Sequence, residues 1–281
     1  SSSLLYIERN KKIRKKVINK MIKEIHIFGT SFSCGGGFEW KSKYYSEILK
    51  KHYTEQPFTQ HYYSWPGQLE KLLGDDIKIH NHAKSGYGNE RLYRKAHKII
   101  ESNKDKLDKM LFLFEFSALG RKELWSNEHK QYLSYNYDSA FELPKPKLMG
   151  VAKSYENQIC GLEKADYPKQ KKLIQSFLEE TWNPKEEVDK LNRNIDMFVS
   201  YLFENKVNFK ILETFGWEYN GDRNINDYKI EFDKNGRTLW TWIERNKLTI
   251  MEETNGDIKN HHPSFECSKI VAKKIAYDLG R

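Results

Sequence analysis

The sequence EIHIFGTSFS, residues 24–33, determines the fold expected of this chain. Its first part alternates apolar and polar residues and closes on Gly29, which is typical of a short buried strand that ends in a tight turn. Ser31 follows that turn, so it is expected at the carboxyl end of a strand, where open α/β sheets collect reactive groups. Ser31 is therefore a candidate nucleophile, although taken alone a helix cap is the more ordinary role for such a serine.

Segments of helical and strand character alternate downstream of this turn. The patterns predict helices over 65–74, 88–102, 183–206 and 261–280, and further strands over 76–81, 110–116 and 207–215. Strands that are separated by helices imply a parallel sheet. We therefore predict a three-layer α/β/α sandwich of flavodoxin-like type, with a mostly parallel, five-stranded sheet.

Length and composition indicate one domain. The 281 residues, 38% of them hydrophobic, suffice for a single α/β core. Residues 1–20 contain seven Lys or Arg and one acid, and we expect them to form a basic N-terminal extension. Residues 21–281 are expected to form one domain, with insertions at about 125–182 and 216–250 on the rim of the sheet.

No apolar run approaches the roughly 18 residues that a membrane span requires, and the order of charges at the N-terminus is not that of a secretory signal. The three cysteines, Cys34, Cys160 and Cys267, are odd in number and widely spaced, so neither a disulfide framework nor a zinc pattern is expected. These features predict a cytoplasmic protein without a membrane partner.

The formal net charge of +9 raises nucleic acid as a possible partner. However, the lysines are spread along the whole chain with acids between them, which is typical of a solvated surface. The composition therefore disfavours a nucleic-acid partner, and a basic nucleic-acid-associated protein is kept as an alternative.

Four segments in this order resemble the conserved blocks of the SGNH (GDSL-type) hydrolase superfamily. GTSFS resembles the first block, with Thr30 in place of Asp. WPGQLEKLLG and NHAKSGYGNERL resemble the second block, where Gly86 matches a glycine whose N–H faces the oxyanion. LFEFSALGRKELW stands where the family has GxND, without the Asn. GDIKNHHPS resembles the final DxxHP block, in which His262 precedes Pro263.

The resemblance implies Ser31 as nucleophile and His262, or its neighbour His261, as general base. A serine hydroxyl needs such a base, because a neutral imidazole must take its proton. Asp257 would orient the imidazole, but it lies four residues before His261 and five before His262, where the family spacing is three. A Ser-His-Asp triad and a Ser-His dyad therefore both stay open.

The oxyanion hole implied by the resemblance consists of the N–H groups of Ser31 and Gly86, with Ser117 as a substitute for the missing Asn. Asn89, Arg121 and Glu123 are possible substrate-binding residues.

The function implied by the resemblance is hydrolysis of an ester, specifically the removal of an acetyl or similar acyl group from a carbohydrate or a small molecule, without a cofactor. Aromatic residues in the insertions could line a sugar-binding groove or form a small satellite core. They are Tyr132, Tyr135, Tyr137, Trp217, Trp240 and Trp242. Because the block pattern is incomplete, a catalytically altered glycan-binding or structural module of the same fold is the main alternative.

Two histidine pairs raise the possibility of a metal site. His80 and His82 would share one face of a strand, but the sequence pattern shows no third ligand beside them. His261 and His262 are adjacent in a turn that the hydrolase resemblance already explains. We therefore expect no metal site.

Overall fold

The computed structural model describes residues 22–38, 43–44, 60–118, 121–127, 130–137, 148–152, 167–181, 183–214, 224–232 and 238–280. The predicted basic extension at 1–20 lies outside these ranges. Within them, no helix is long and apolar enough to cross a membrane.

The helices and strands alternate along the chain as the sequence pattern predicts. The strands are β1 (Glu24–Phe28), β2 (Lys78–Asn81), β3 (Met110–Glu115), β4 (Arg121–Ser126), β5 (Gln131–Tyr137), β6 (Leu148–Ala152) and β7 (Phe209–Leu212). The helices are α1 (Ser31–Cys34), α2 (Gln60–Tyr63), α3 (Trp65–Leu73), α4 (Asn89–Glu101), α5 (Tyr167–Thr181), α6 (Pro184–Glu204), α7 (Leu239–Arg245), α8 (Ile250–Glu253) and α9 (Phe265–Asp278). Short 3-10 segments cover Lys104–Lys109 and Asn226–Tyr228.

Local chemistry sets the ends of the main helices. Ser64 caps α3 by accepting from the N–H of Gly67, and α3 ends at Gly74, whose φ is 67°. Asn183 caps α6 by accepting from the N–H of Glu186. Ser264 caps α9 in the same way. This cap fixes the start of α9 at Phe265, three residues after His262.

The central sheet is parallel and has the strand order β2-β1-β3-β7. β1 pairs on both sides, so the turn that carries Ser31 emerges from the middle of the sheet. The described residues contain four parallel strands and not five; a single parallel bridge between Ile211 and Lys229 stands beside β7 where a fifth strand would run. The mixed α/β class and the mostly parallel sheet are confirmed.

Two apolar layers cover the sheet. On one face, Ile25 and Ile27 of β1 pack with residues of α3, α7 and α9. On the other face, Phe28 and the phenylalanines of β3 pack with α4 and α6. Because both faces are covered, all six residues of β3 are buried. The three-layer α/β/α arrangement follows.

A second, antiparallel sheet with the order β4-β5-β6 lies largely within the first predicted insertion. Helix α5 follows it in the chain, and Lys130, with φ of 48°, lies in the turn between β4 and β5. The sequence pattern did not reveal these elements because Tyr, Lys and Pro obscure the two-residue period there. Of the second insertion, 224–232 and 238–250 are described and include α7.

Candidate active site

Ser31 is the first residue of α1, immediately after the turn that ends β1. Its side chain is almost completely buried, with 2% of the residue exposed. Among the described residues, Oγ of Ser31 has no hydrogen-bond partner. Its backbone N–H lies in the first turn of a helix, where helix geometry supplies no acceptor. Ser31 therefore combines an uncommitted hydroxyl with a helix N-terminus.

The buried carboxylate of Glu115 holds the nucleophile turn in place. Glu115 ends β3, beside β1, and accepts hydrogen bonds from the backbone N–H and the hydroxyl of both Thr30 and Ser33. These donors flank Ser31 on both sides. Burial raises the pKa of Glu115, while the bonds from Ser33 and Thr30 and the charge of Arg121 oppose that rise. Glu115 thus fixes the direction in which Ser31 projects.

Two glycines leave room for functional side chains. A Cβ on Gly29 would lie 2.4 Å from Oε2 of Glu115, so only glycine admits the carboxylate there. A Cβ on Gly36 would lie 2.7 Å from Nε2 of His262 and 3.0 Å from Cβ of Ser31. Ser31 and one ring nitrogen of His262 therefore border the same small space beside Gly36.

The loop that carries His262 is held by a neighbouring segment. The N–H of Ile250 donates to the carbonyl of His262 over 2.9 Å, and the N–H of Ser264 donates to the carbonyl of Leu248 over 2.9 Å. The N–H of Met251 donates to the carbonyl of Asn260, also over 2.9 Å. These bonds fix the backbone on both sides of the histidine, so its position does not depend on the side chain alone.

Asn260 sets the tautomer of His262. Oδ1 of Asn260 accepts from the backbone N–H of His262 over 2.9 Å, which identifies this atom as the amide oxygen. The same oxygen lies 2.8 Å from Nδ1 of His262. Because an amide oxygen only accepts, Nδ1 carries the proton and Nε2 of the neutral ring is left as an acceptor. Nε2 is also the atom that faces Ser31 across Gly36.

Burial, together with the smaller effects of the charges of Arg121 and His261, lowers the pKa of His262 from about 6.5 to about 4. No carboxylate is among the groups that shift this pKa. The imidazole is consequently neutral, and able to accept a proton, throughout the physiological pH range.

Two predictions about this loop have different outcomes. His262, and not the exposed His261, is the ring beside Ser31. Asp257 does not orient it: Asp257 is exposed in the preceding turn, where its N–H donates to the carbonyl of Thr254 over 3.0 Å. The longer spacing before His262 carries Asp257 away from the ring. Asn260, two residues before His262, occupies Nδ1 instead.

Gly86 and Ser117, two of the predicted oxyanion donors, lie in different surroundings. Gly86 has φ of 82° and lies in the loop after β2, which runs beside the nucleophile turn because the N–H of Lys84 donates to the carbonyl of Gly29 over 3.0 Å. Ser117 cannot easily contribute: its N–H donates to Oδ1 of Asn89 over 2.7 Å and its hydroxyl to the carbonyl of Tyr87 over 2.9 Å. Ser117 and the buried Asn89 instead join β3 to α4.

Arg121 and Glu123 also differ. Glu123 forms an ion pair with Arg94 over 2.8 Å, and its side chain is only 1% exposed, so it is not positioned to contact a substrate. Arg121 begins β4, and its positive charge lowers the pKa of both Glu115 and His262. Of the two, Arg121 is the residue whose charge acts on the site.

The predicted aromatic groove is described only in part. Trp217 lies outside the described residues, as do the side chains of Tyr135 and Tyr137. Tyr132 stacks with Arg94, and Trp242 packs against the core. Trp240 is half-buried, with its ring 5.4 Å from that of Phe32 and 6.3 Å from that of His261. Trp240 thus borders the Ser31–His262 site.

Sequence reasoning missed two residues of this site, Glu115 and Asn260. A signal was available for Glu115, because an acid inside the apolar stretch MLFLFEF must be buried and must find donors. For Asn260, the signal was a short amide two residues before the histidine.

No protein-family model matches this sequence, and no curated protein matches it. Two solved structures resemble this chain in fold. One is a protein assigned to the G-D-S-L lipolytic family, from Desulfitobacterium hafniense DCB-2, with 12% identity and a TM-score of 0.39, covering 91% of this chain and 98% of that one. The other is the psychrotrophic esterase EstA from Pseudoalteromonas sp., inhibited by monoethylphosphonate, with 12% identity and a TM-score of 0.40, covering 92% and 96%. The likeness concerns the fold alone, and no residue role follows from it.

Proposed function

We propose that this protein is a serine esterase in which Ser31 is the nucleophile, His262 the general base and Asn260 the residue that orients His262. The observation that supports this most directly is the meeting of Ser31 and Nε2 of His262 at Gly36, with Nδ1 held by Asn260. This arrangement has the order of a catalytic triad, with an amide in place of the usual carboxylate.

In the proposed reaction, Oγ of Ser31 attacks the ester carbonyl carbon while its proton passes to Nε2 of His262. The tetrahedral intermediate then collapses, the C–O bond to the alcohol breaks, and the alcohol leaves with the proton from His262. Water, deprotonated by the same nitrogen, then attacks the acyl-serine. The bond between the acyl carbon and Oγ breaks, the acid leaves, and His262 returns the proton to Ser31. In the conformation described, Ser31 and His262 are not yet hydrogen-bonded, and such bonds commonly tighten when substrate binds.

The oxyanion is assigned to the N–H of Ser31 at the start of α1 and to the N–H of Gly86. One well-placed donor of this kind contributes about 3 kcal/mol to the transition state. The positive charge of Arg121 acts on both Glu115 and His262.

The burial of Ser31 favours a small acyl group. With 2% of the residue exposed, an acetyl group reaches Oγ more readily than a long chain does. The half-buried ring of Trp240, beside Phe32 and His261, offers an apolar face at the edge of the site. Flat rings of this kind stack on sugar faces. We therefore extend the proposal to removal of acetyl or similar groups from a carbohydrate.

The proposal is tested by labelling with a fluorophosphonate probe, which reacts with activated serines. We expect one probe per chain and, after digestion, the added mass on the peptide that contains Ser31. Heat-denatured protein is the control, because labelling must depend on the folded site. Absence of labelling, or labelling at another serine, would contradict the proposal and favour a catalytically altered glycan-binding module.

The acidic side of the pH-activity profile should lie near pH 4. Because burial lowers the pKa of His262 to about 4, the ring is protonated and inactive below that pH and becomes competent as the pH rises through it. Activity should therefore be nearly constant from pH 6 to 8. The measurement is kcat/KM for an aryl acetate from pH 3.5 to 8, with circular dichroism at each pH to show that the protein stays folded.

Replacement of Asn260 by Asp provides the matched control for this profile. The carboxylate has the same shape but adds a negative charge beside Nδ1, which favours the protonated ring and raises its pKa. The acidic limb should therefore shift to higher pH. Asp257→Asn, at an exposed position, should leave the profile unchanged. If Asp257→Asn shifts the limb and Asn260→Asp does not, the assignment of Asn260 is wrong.

A further inference from the structure

A cluster of metal-ligand side chains lies in the sheet, away from Ser31. Glu24 and His26 lie two residues apart in β1, so their side chains project from the same face of the sheet. His26 is paired in register with His80 of β2. The sequence spacing indicated only His80 and His82 on this face. The parallel register adds a carboxylate and a second imidazole from the neighbouring strand.

The ligand atoms of this cluster converge. Oε2 of Glu24 lies 3.3 Å from Nε2 of His26 and 3.3 Å from Nε2 of His80, and all three atoms lie within 4.8 Å of one another. The two imidazole rings stack with centroids 4.5 Å apart and planes 14° apart. The Nε2 atoms therefore point toward the same carboxylate oxygen.

Hydrogen bonding accounts for one side of this arrangement, because Nε2 of His26 and Oε2 of Glu24 share a hydrogen bond over 3.3 Å. Nε2 of His80 is buried and, among the described residues, has no hydrogen-bond partner, although Oε2 of Glu24 is only 3.3 Å away. A buried ring nitrogen normally has a partner. A bound cation between the three atoms supplies one.

Two of the three spacings match a zinc ion, those from Oε2 of Glu24 to Nε2 of His26 and to Nε2 of His80. Zinc binds His nitrogen at about 2.0–2.1 Å and carboxylate oxygen at about 2.0–2.2 Å, so tetrahedral ligand atoms lie about 3.3 Å apart. We infer that Glu24, His26 and His80 form a Zn²⁺ site. The side chains of Glu24 and His80 are 29% and 27% exposed, so a fourth position is open to water.

His82 completes the surroundings of the site. Its Nε2 lies 3.0 Å from Nδ1 of His26, and the rings stack with centroids 5.3 Å apart. A ligating histidine usually donates its other ring N–H to such an acceptor, which fixes the ring and its tautomer.

The position of the site indicates a structural role. Glu24 begins β1 and Ser31 follows its opposite end, so the zinc site and the proposed ester site lie at opposite ends of the same strand. The ion would join β1 to β2, which is the edge strand of the parallel sheet. We expect it to stabilise this edge and to leave ester hydrolysis unaffected.

The test uses the 281-residue chain without a histidine tag, first stripped with a chelator and then titrated with Zn²⁺ or Co²⁺. We expect one Zn²⁺ per chain by elemental analysis, a higher thermal midpoint with Zn²⁺, and the intense visible absorption of tetrahedral Co²⁺. Glu24→Gln and His80→Gln, both at partly exposed positions, should each weaken binding at least tenfold. His61→Gln is the matched control, because His61 pairs with Glu70 over 2.9 Å outside the cluster.

Two results would overturn the inference. The first is less than half an equivalent of bound Zn²⁺ in the wild-type chain at saturating metal. The second is stoichiometric binding that persists in both Glu24→Gln and His80→Gln, or that is lost in His261→Gln, since either would place the ion elsewhere. Octahedral Co²⁺ spectra would contradict the tetrahedral assignment.

Discussion

Replacement of Ser31 by alanine is expected to lower kcat/KM for an aryl acetate by at least about 10⁴-fold, because loss of the attacking hydroxyl removes the covalent route entirely. The fold should be unaffected. Oγ of Ser31 has no hydrogen-bond partner among the described residues, so its removal leaves no buried group unsatisfied. The measurement is the initial rate of hydrolysis together with the thermal midpoint of each variant.

Ser102→Ala is the control for this experiment. Ser102 is an exposed serine that follows α4 and donates to the carbonyl of Lys98 over 2.8 Å, so its loss should change neither rate nor fold. A Ser31→Ala variant that retains more than a few per cent of the wild-type rate would show that another group attacks the ester. Equal loss in Ser102→Ala would point to damage in preparation and not to chemistry at Ser31.

The main elements of the sheet were predictable because strong local patterns decide them. The alternation in EIHIFG and the apolar run MLFLFEF correspond to β1 and β3, and the stripe of apolar residues in 183–206 corresponds to α6. Caps at Ser64 and Asn183 agree with the same patterns. The antiparallel β4–β6 sheet was not predicted, because its strands, although consecutive in the chain, have weak patterns of their own.

The structure brings Ser31 and His262, the two residues that the sequence proposed as nucleophile and base, together beside Gly36. The groups that hold them, Glu115 and Asn260, were not predicted. Glu115 is 84 residues from Ser31 in the chain and reaches its neighbours only because β3 pairs with β1. The sequence has Thr30 where the resembled family has Asp, and the structure supplies the acid from Glu115, which accepts from the Thr30 hydroxyl. Contacts of this range depend on the register of the sheet, which no local pattern specifies.

The use of Asn260 in place of an acid has a chemical consequence. A buried carboxylate beside His262 would stabilise the imidazolium that forms when Ser31 gives up its proton. An amide holds the tautomer without that charge, and burial keeps the pKa of the ring at about 4. A weak base slows proton transfer but keeps the ring unprotonated at low pH. Under the proposed mechanism, we therefore expect activity over a wide pH range at a reduced rate.

Replacement of His262 by glutamine should reduce kcat/KM at least about 10³-fold. Glutamine keeps a polar side chain of similar length next to Gly36 but cannot take the proton from Ser31 at neutral pH. Fluorophosphonate labelling of Ser31 should slow in parallel, because an unactivated hydroxyl reacts poorly with the probe. Rates of labelling and of ester hydrolysis, measured on the same preparation, give two independent estimates of the loss.

His261→Gln is the matched control, because it makes the same change at the adjacent residue. His261 is exposed and its ring lies against Trp240, with centroids 6.3 Å apart, so it is not the ring that borders Ser31. We expect kcat/KM to fall less than tenfold in this variant. The loss should appear as a higher KM, because the substitution changes only the surface beside Trp240. Similar losses in both variants, or a larger loss in His261→Gln, would assign the base to His261 and require the loop before Pro263 to rearrange when substrate binds.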